Sequence, residues 1–393
     1  MNAPKLRFKE FNDEWKNKKL LELVSFSKGN LLSKSDLDDN GIYPCILYGQ
    51  LYTKYHEVIR NVYSKTSNSS NNITKSKYGD ILIPSSGETP IDISTSSCLL
   101  LDNILLGGDI NILSPINCDG RFISYMINNN KRTEIAKVAQ GHSIVHLYNE
   151  NLKKVNLQIP TMNEQIKIAN ALELLDKKIE LQTKKIEDLK LFKKGLLISK
   201  FSNKVKNKKL EEIIKKGKAG GTPKSTVQKY YDGTIPFLSI SDISSQNKYI
   251  KHTEKCISEE GLKNSSTWLV PKNSIILSMY ASYGLPCINK IELATSQAMY
   301  SMIFKDDIDV EFIYYYLYYL QQINYYDRLV STGTQSNLNA EKVNKIKIYC
   351  PNYDIQKNIS KLFVSCDRKI LLEANKLLKL QELKKGLMQN MFV

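Results

Sequence analysis

The chain has 393 residues, 42% of them hydrophobic, and a formal net charge of +16 at pH 7. That length predicts two domains or more, and the apolar content excludes a disordered tail protein. The lysine excess selects a polyanionic partner, either nucleic acid or an anionic membrane face.

The segment 1–15 has no apolar core and no run of about 18 apolar residues occurs, which leaves nucleic acid as the leading expectation. Seven cysteines with wide spacings and no CxxC pair predict reduced thiols in a cytoplasmic protein, and no zinc site.

In chain order, residues 1–160 are rich in Ile, Tyr, Ser, Asn and Gly, with short apolar runs such as Gly79–Ser86. They predict a β-rich module of α+β character with irregular loops. Trp15 is placed as the anchor of the N-terminal arm, because Glu14–Lys16 lacks the acidic partner of a nuclease motif. His142 and His146 have i, i+4 spacing, but the intervening Ile144 and Val145 are β-branched and no HExxH glutamate is present. No metal site is expected there.

Residues 161–203 predict a long helix opening after Pro160. Leu172, Leu175, Ile179, Ile186, Leu189 and Leu196 alternate three and four apart, which is the seam of a coiled coil. Residues 204–351 return to the character of the first module. Their glycine run Gly217–Ser225 lacks phosphate-loop spacing and contains Pro223, so it reads as a plain loop whose lysines can meet DNA phosphates. The tyrosine-rich run Phe312–Tyr326 reads as a packed supporting helix rather than a base-stacking platform. Residues 352–393 predict a second long helix with the seam Phe363, Cys366, Ile370, Leu377, Leu380 and Leu387.

The two helices repeat one another. A shift of 191 residues aligns Pro160 with Pro351, Gln165 with Gln356, Asp176 with Asp367, and Lys193–Leu196 with Lys384–Leu387, without a gap. Chance similarity of amphipathic helices does not match Pro, Gln, Asp and Gly together, so this is an internal duplication. The modules echo each other only at Lys18–Gly29 with Lys208–Lys218 and at Arg121–Ile127 with Glu311–Leu317, and their middles hardly match.

Gln182 and Glu373 fall at the two helix midpoints; in an antiparallel pair they oppose each other and help fix the register. A helix of about 37 residues spans roughly 55 Å, more than one turn of duplex at about 3.4 Å per base step. Gly195 and Gly386 sit inside helical pattern at a cost of roughly 0.5–1 kcal/mol each. They are expected to mark matched helix ends that meet a module or a partner's backbone.

No catalytic constellation emerges: GxGxxG and the amino-methyltransferase tetrapeptide are both absent. Across essentially its whole length the chain resembles the specificity subunit of type I restriction–modification enzymes. The resemblance rests on Ile159–Ile168, Gly333–Pro351 and the doubled KKGL…F, and the first copy departs from the glycine–glutamine loop by carrying Gly141-His142-Ser143.

The resemblance implies an α+β fold of two β-rich target-recognition domains (1–160 and 204–351), each followed by a long helix (161–203 and 352–393). The helices pack as an antiparallel coiled coil, with Leu175, Gln182, Leu189, Ile370, Glu373 and Leu380 in its seam. Each recognition domain reads half of a bipartite double-stranded DNA site, and the helices set the spacer and dock two methyltransferase subunits, which motor/endonuclease subunits join. S-adenosylmethionine, ATP and Mg are implied for those partners, with no cofactor and no catalysis in this chain.

Loop position and residue type nominate DNA contacts. In the first domain these are Lys28, Lys34, Tyr52, Tyr55, Ser85 and His142. In the second they are Lys218, Thr222, Lys224, Tyr280, Tyr283, Gln335 and Ser336. The alternative is a non-enzymatic coiled-coil scaffold joining two protein-binding modules.

Overall fold

The structure is a computed structural model that describes residues 3–141, 144–280, 282–330 and 338–393. The chain forms two compact units, residues 1–183 with 375–393, and residues 184–374. Each unit therefore joins one module to the first part of one long helix and the last part of the other.

In the first unit, strand Lys16–Lys19 pairs antiparallel with Asn156–Ile159 and ties the two ends of the module together. Between them lies a five-stranded sheet in the order Val24–Lys28, Ile110–Pro115, Asp80–Pro84, Ser97–Leu99, Val58–Ile59. A three-stranded sheet runs Ser64–Thr66, Tyr43–Ile46, Leu105–Leu106. Among the described residues of this unit, only the pairings of Val58–Ile59 with Ser97–Leu99 and of Tyr43–Ile46 with Leu105–Leu106 are parallel. Most of these strands have two to six residues, so their apolar alternation is too short to read in the sequence.

Helix Gly120–Met126 starts at Asp119, whose carboxylate accepts hydrogen bonds from the backbone of Arg121 and Phe122. It packs on a core of Trp15, Phe122, Tyr125, Ile168 and Leu172, completed by Met388, Met391 and Phe392 from the C-terminus. Trp15 meets Phe122 edge-on at 5.9 Å between ring centroids.

The second unit repeats these three sheets strand for strand; the further pair Ser86–Gly87 with Val145–His146 is described in the first unit. Lys208–Lys209 pairs with Lys347–Ile348, and the five-stranded order is Ile214–Ala219, Met299–Phe304, Ile275–Ser278, Pro286–Asn289, Tyr249–Ile250. The small sheet is Lys255–Ile257, Ile235–Leu238, Ala294–Thr295. The parallel pairs recur at the corresponding places. Two modules whose middles hardly match in sequence therefore share one topology.

The supporting helix is Val310–Gln322, capped by Asp309. Its Tyr314, Tyr315, Tyr316 and Tyr319 are buried, and Phe201 packs against Phe312, Tyr316, Tyr319 and Phe363 with centroids 5.2–5.8 Å apart. Phe201 does for this unit what Phe392 does for the first, where Phe392 lies 5.4 Å from Phe122.

The long helices are Met162–Phe201 and Tyr353–Met391. Antiparallel pairing is visible inside each unit. In the first, Leu172 near the start of one helix shares a core with Met388 near the end of the other; in the second, Leu197 and Phe201 share a core with Phe363. Leu175, Ile186 and Glu373 are buried, and Gln182, Leu189, Ile370 and Leu380 are half-buried. Within the second unit Glu373 is paired with Lys185 at 2.9 Å. Among the described residues, no helix is long and apolar enough to cross a membrane.

Candidate nucleic-acid interface and its anchorage

Of the nominated contacts, Lys28 is exposed at the end of an edge strand, with its ammonium 5.9 Å from the ring of Tyr148. Lys34 opens an exposed single turn, and Tyr52 is half-buried on helix Tyr48–Thr53. Tyr55 and Ser85 are buried. Tyr55 is buried in the core, where it stacks on Tyr63 and its hydroxyl accepts from the Tyr63 backbone N–H at 3.2 Å. Ser85 is buried, and its backbone N–H bonds the Asp109 carbonyl at 2.8 Å. Short apolar runs surround both residues, so a loop reading in the sequence conceals their burial.

In the second module, Lys218, Thr222 and Lys224 are exposed and Tyr280 is partly so. Tyr283 is half-buried and donates to Asp327 at 2.9 Å. Lys218 shares the edge strand Ile214–Ala219 with exposed Lys215 and Lys216, and the Lys216 ammonium lies 4.4 Å from the centre of the Trp268 ring. Each unit thus has its own lysine–aromatic pairing on an edge strand, Lys28 with Tyr148 in the first and Lys216 with Trp268 in the second, which the sequence reading passed over. His142, Gln335 and Ser336 lie outside the described residues.

The glycine run beside Lys218 is fixed by packing. A methyl group on Gly220 would collide with the carbonyl oxygens of Thr295 and Ser296, and one on Gly221 with Ser266 and the Thr267 backbone. The Pro223 carbonyl accepts from the Tyr231 hydroxyl at 2.6 Å, which ties the loop to the module.

Each module is held on its helices by one repeated polar pattern. In the first unit, Lys384 of the second helix lies 2.7 Å from Asp176 of the first helix and 2.9 Å from Glu57 of the module. The Tyr125 hydroxyl donates to the other Asp176 oxygen at 2.6 Å. In the second unit, Lys193 donates to Asp367 at 2.5 Å, and the Tyr315 hydroxyl donates to the other Asp367 oxygen at 2.5 Å.

The glutamines repeat as faithfully. The Gln165 side-chain carbonyl accepts from the Asp119 backbone N–H and its amide donates to the Pro160 carbonyl; Gln356 does the same with Asp309 and Pro351. Each helix-capping aspartate is thus fixed to a long helix by a glutamine one repeat apart. The matched Gln, Asp and Lys of the duplication are the fittings of one joint made twice.

Burial and charge act together at these joints. Burial and the negative charge of Asp176 push the Tyr125 hydroxyl well above its ordinary range, and burial with Asp367 does the same to Tyr315. Burial alone would raise Glu57, but Lys384 more than offsets it and holds the carboxyl below its usual range. Burial likewise opposes charge on Lys384, yet Glu57 and Asp176 keep it above the usual lysine value. Among the described residues, no group of three His, Cys, Asp or Glu side chains could hold a metal ion.

Fold and joints define a class: two like β-rich modules, divergent in their loops, mounted by one repeated joint on a duplicated helix pair. Residues 12–191 and 202–382 each match the family described as type I restriction modification DNA specificity domain. The chain belongs to this family.

The MjaIX specificity subunit of Methanocaldococcus jannaschii, a type I restriction enzyme component, is 29% identical over 143 residues, covering 36% of this chain and 33% of that protein. The HindI specificity subunit of Haemophilus influenzae is 31% identical over 153 residues, or 39% of this chain and 33% of that one. The EcoR124I/EcoR124II specificity subunit of Escherichia coli is 26% identical over 261 residues, 63% of each chain. The chain thus spans about a third of the length of the first two relatives. The crystal structure of the S subunit of a type-I restriction-modification system from M. genitalium shares the fold, with a TM-score of 0.65 at 19% identity over 100% of this chain and 99% of that one. A structure bearing on complex assembly of the type I R-M system shares it with a TM-score of 0.58 at 13% identity, over 96% and 97% of the two chains.

Proposed function

We propose that this chain is the DNA-sequence-specificity subunit of a type I restriction–modification complex, and that it has no catalytic activity of its own. One observation carries the reading: two modules of the same topology sit on the same Lys–Asp–Tyr and glutamine joints while their sequences diverge elsewhere. A constant mount with variable loops suits two readers of different half-sites. The +16 charge supplies sequence-independent phosphate attraction, and the loops supply base contacts.

In this reading the helices set the spacer between half-sites and dock two methyltransferase subunits, with motor/endonuclease subunits joining them. S-adenosylmethionine, ATP and Mg belong to those partners. Support comes from matched apolar residues left exposed on both helices: Leu181 and Leu372 are one repeat apart, as are Phe192 and Leu383, and all four are more than half exposed. Surface of that kind on a long helix is suited to covering by another protein.

Methylome sequencing of cells carrying the chain with its methyltransferase partner tests the proposal. A split motif with a fixed spacer is expected, and replacing residues 1–160 should alter one half only. Absence of any methylation motif, together with no salt-sensitive, sequence-dependent DNA binding by the assembled complex, would instead support a protein-binding scaffold.

A further inference from the structure

The two joints share a frame but differ in the charges added to it. In the first unit the module presents Glu57 and Arg121. Arg121 bonds Glu173 at 2.9 Å and Asn170 at 2.7 Å, both on the long helix, besides its own Asp119 at 2.7 Å. Arg60 of the same module also pairs with Glu173.

In the second unit the position of Glu57 is taken by Lys248, 191 residues on, and that of Arg121 by Glu311, 190 residues on. The signs are reversed. Lys248 lies 2.5 Å from Glu311 and 2.6 Å from the Tyr315 hydroxyl, and the Tyr249 hydroxyl donates to Glu311 at 2.7 Å. The module thus neutralises Glu311 with its own Lys248, which also lies 3.8 Å from Asp367 of the long helix. On that helix the equivalents of Glu173 and Asn170 are Val364 and Lys361.

We propose that Glu173 with Asn170, and Val364 with Lys361, form a position code that matches each module to its own pair of helix segments. The code reads the charge at Arg121 or Glu311, while the shared Lys–Asp–Tyr contacts accept either module. Placed on the wrong segments, Arg121 meets Val364 and Lys361, losing both helix partners and gaining a like charge. Glu311, similarly displaced, meets Glu173, and two carboxylates facing each other in a half-buried joint oppose assembly. The code operates whatever the modules bind, and goes beyond the reading as a specificity subunit by making the order of the two modules a property of the scaffold.

The test exchanges residues 14–160 with 205–351 in the full-length chain, segments of equal length. A second chain carries the same exchange plus N170K, E173V, K361N and V364E. Thermal melting should place the exchanged chain roughly 3–8 °C below the original order, and the four helix substitutions should recover most of that fall. An exchanged chain that melts with the original, or one that the helix substitutions do not rescue, overturns the code.

Should the exchanged chain fail to fold, a cycle in the native order decides. V364E alone and K248E/E311R alone should each weaken hydrogen-exchange protection of helix Val310–Gln322, and the triple variant should be better protected than their sum predicts. Strict additivity overturns the proposal.

Discussion

Lys384 and Asp176 stand 2.7 Å apart, and the same two residue types one repeat away, Lys193 and Asp367, stand 2.5 Å apart. In each unit this is a lysine near the end of one long helix meeting an aspartate near the start of the other, with a module tyrosine closing the contact. Lys384 is surrounded by two carboxylates, Glu57 and Asp176, so its removal leaves both with too little compensation. Lys384→Met should destabilise the first unit by about 3 kcal/mol, measured by denaturant unfolding. Adding Glu57→Gln should return part of that loss, since one of the stranded charges is then gone.

The same joint sets a pH dependence with a defined sign. Glu57 is held below its ordinary value of 4.5, so its contribution is present above that pH and lost as pH falls through the folded-state value. Lys384 is held above its ordinary 10.5, so its contribution is present below that pH and lost as pH rises through the folded-state value. Stability of the first unit should therefore decline at both extremes. In Glu57→Gln the acid limb should flatten, and an unchanged acid limb would show that other carboxylates control it.

A fully buried Glu164 depends on the N-terminal arm. Arg7 grips both carboxylate oxygens, at 2.7 and 2.8 Å, and bonds the Asp13 carbonyl at 2.6 Å. Arg7→Met should cost about 3–5 kcal/mol by stranding a buried carboxylate. Arg7→Met with Glu164→Gln should cost markedly less. Equal losses in the two variants would mean the arm holds by other contacts.

Gly195 and Gly386 have no atom within 4 Å of where a β-carbon would stand, so nothing in this chain requires glycine there. Each lies three residues beyond an exposed apolar position, Phe192 or Leu383, on the same helix face. Alanine at both sites should therefore stabilise the isolated chain by about 0.5–1 kcal/mol per site. If the open face receives a partner's backbone, the same variant should bind the proposed methyltransferase subunits more weakly in a titration. Undiminished binding would leave the glycines without that role.

The sequence made the helices and the duplication plain, because a heptad seam and a gap-free match of Pro, Gln, Asp, Lys and Gly persist over some forty residues. It also showed the run from Phe312 as packed helix, though the helix ends at Gln322 and Tyr325–Arg328 form a separate turn, and Trp15 as buried in the first core. The shared topology of the modules was not legible, since strands such as Val58–Ile59 and Tyr249–Ile250 are too short to carry a period. Nor was the burial of Tyr55 and Ser85, which lie beside short apolar runs that read equally as loop edges. Glu57 and Lys248 align only once the strands after them are known to be equivalent, so the charge reversal between joints stayed hidden in unmatched sequence. Gly220 and Gly221 read as a plain loop, and the Thr295, Ser296, Ser266 and Thr267 atoms pressed against them are contributed by residues more than forty positions away.

Phe392 completes the core that Trp15 and Phe122 begin. During synthesis, the module made first must therefore wait for Met388, Met391 and Phe392. Phe201, by contrast, is already present when the second module emerges. Since chains are made N-terminus first and domains generally fold as units, the later module has its helix end ready while the earlier one holds an open apolar face until Phe392 has been made. Deleting residues 386–393 would thus unsettle the module built from residues more than two hundred positions earlier.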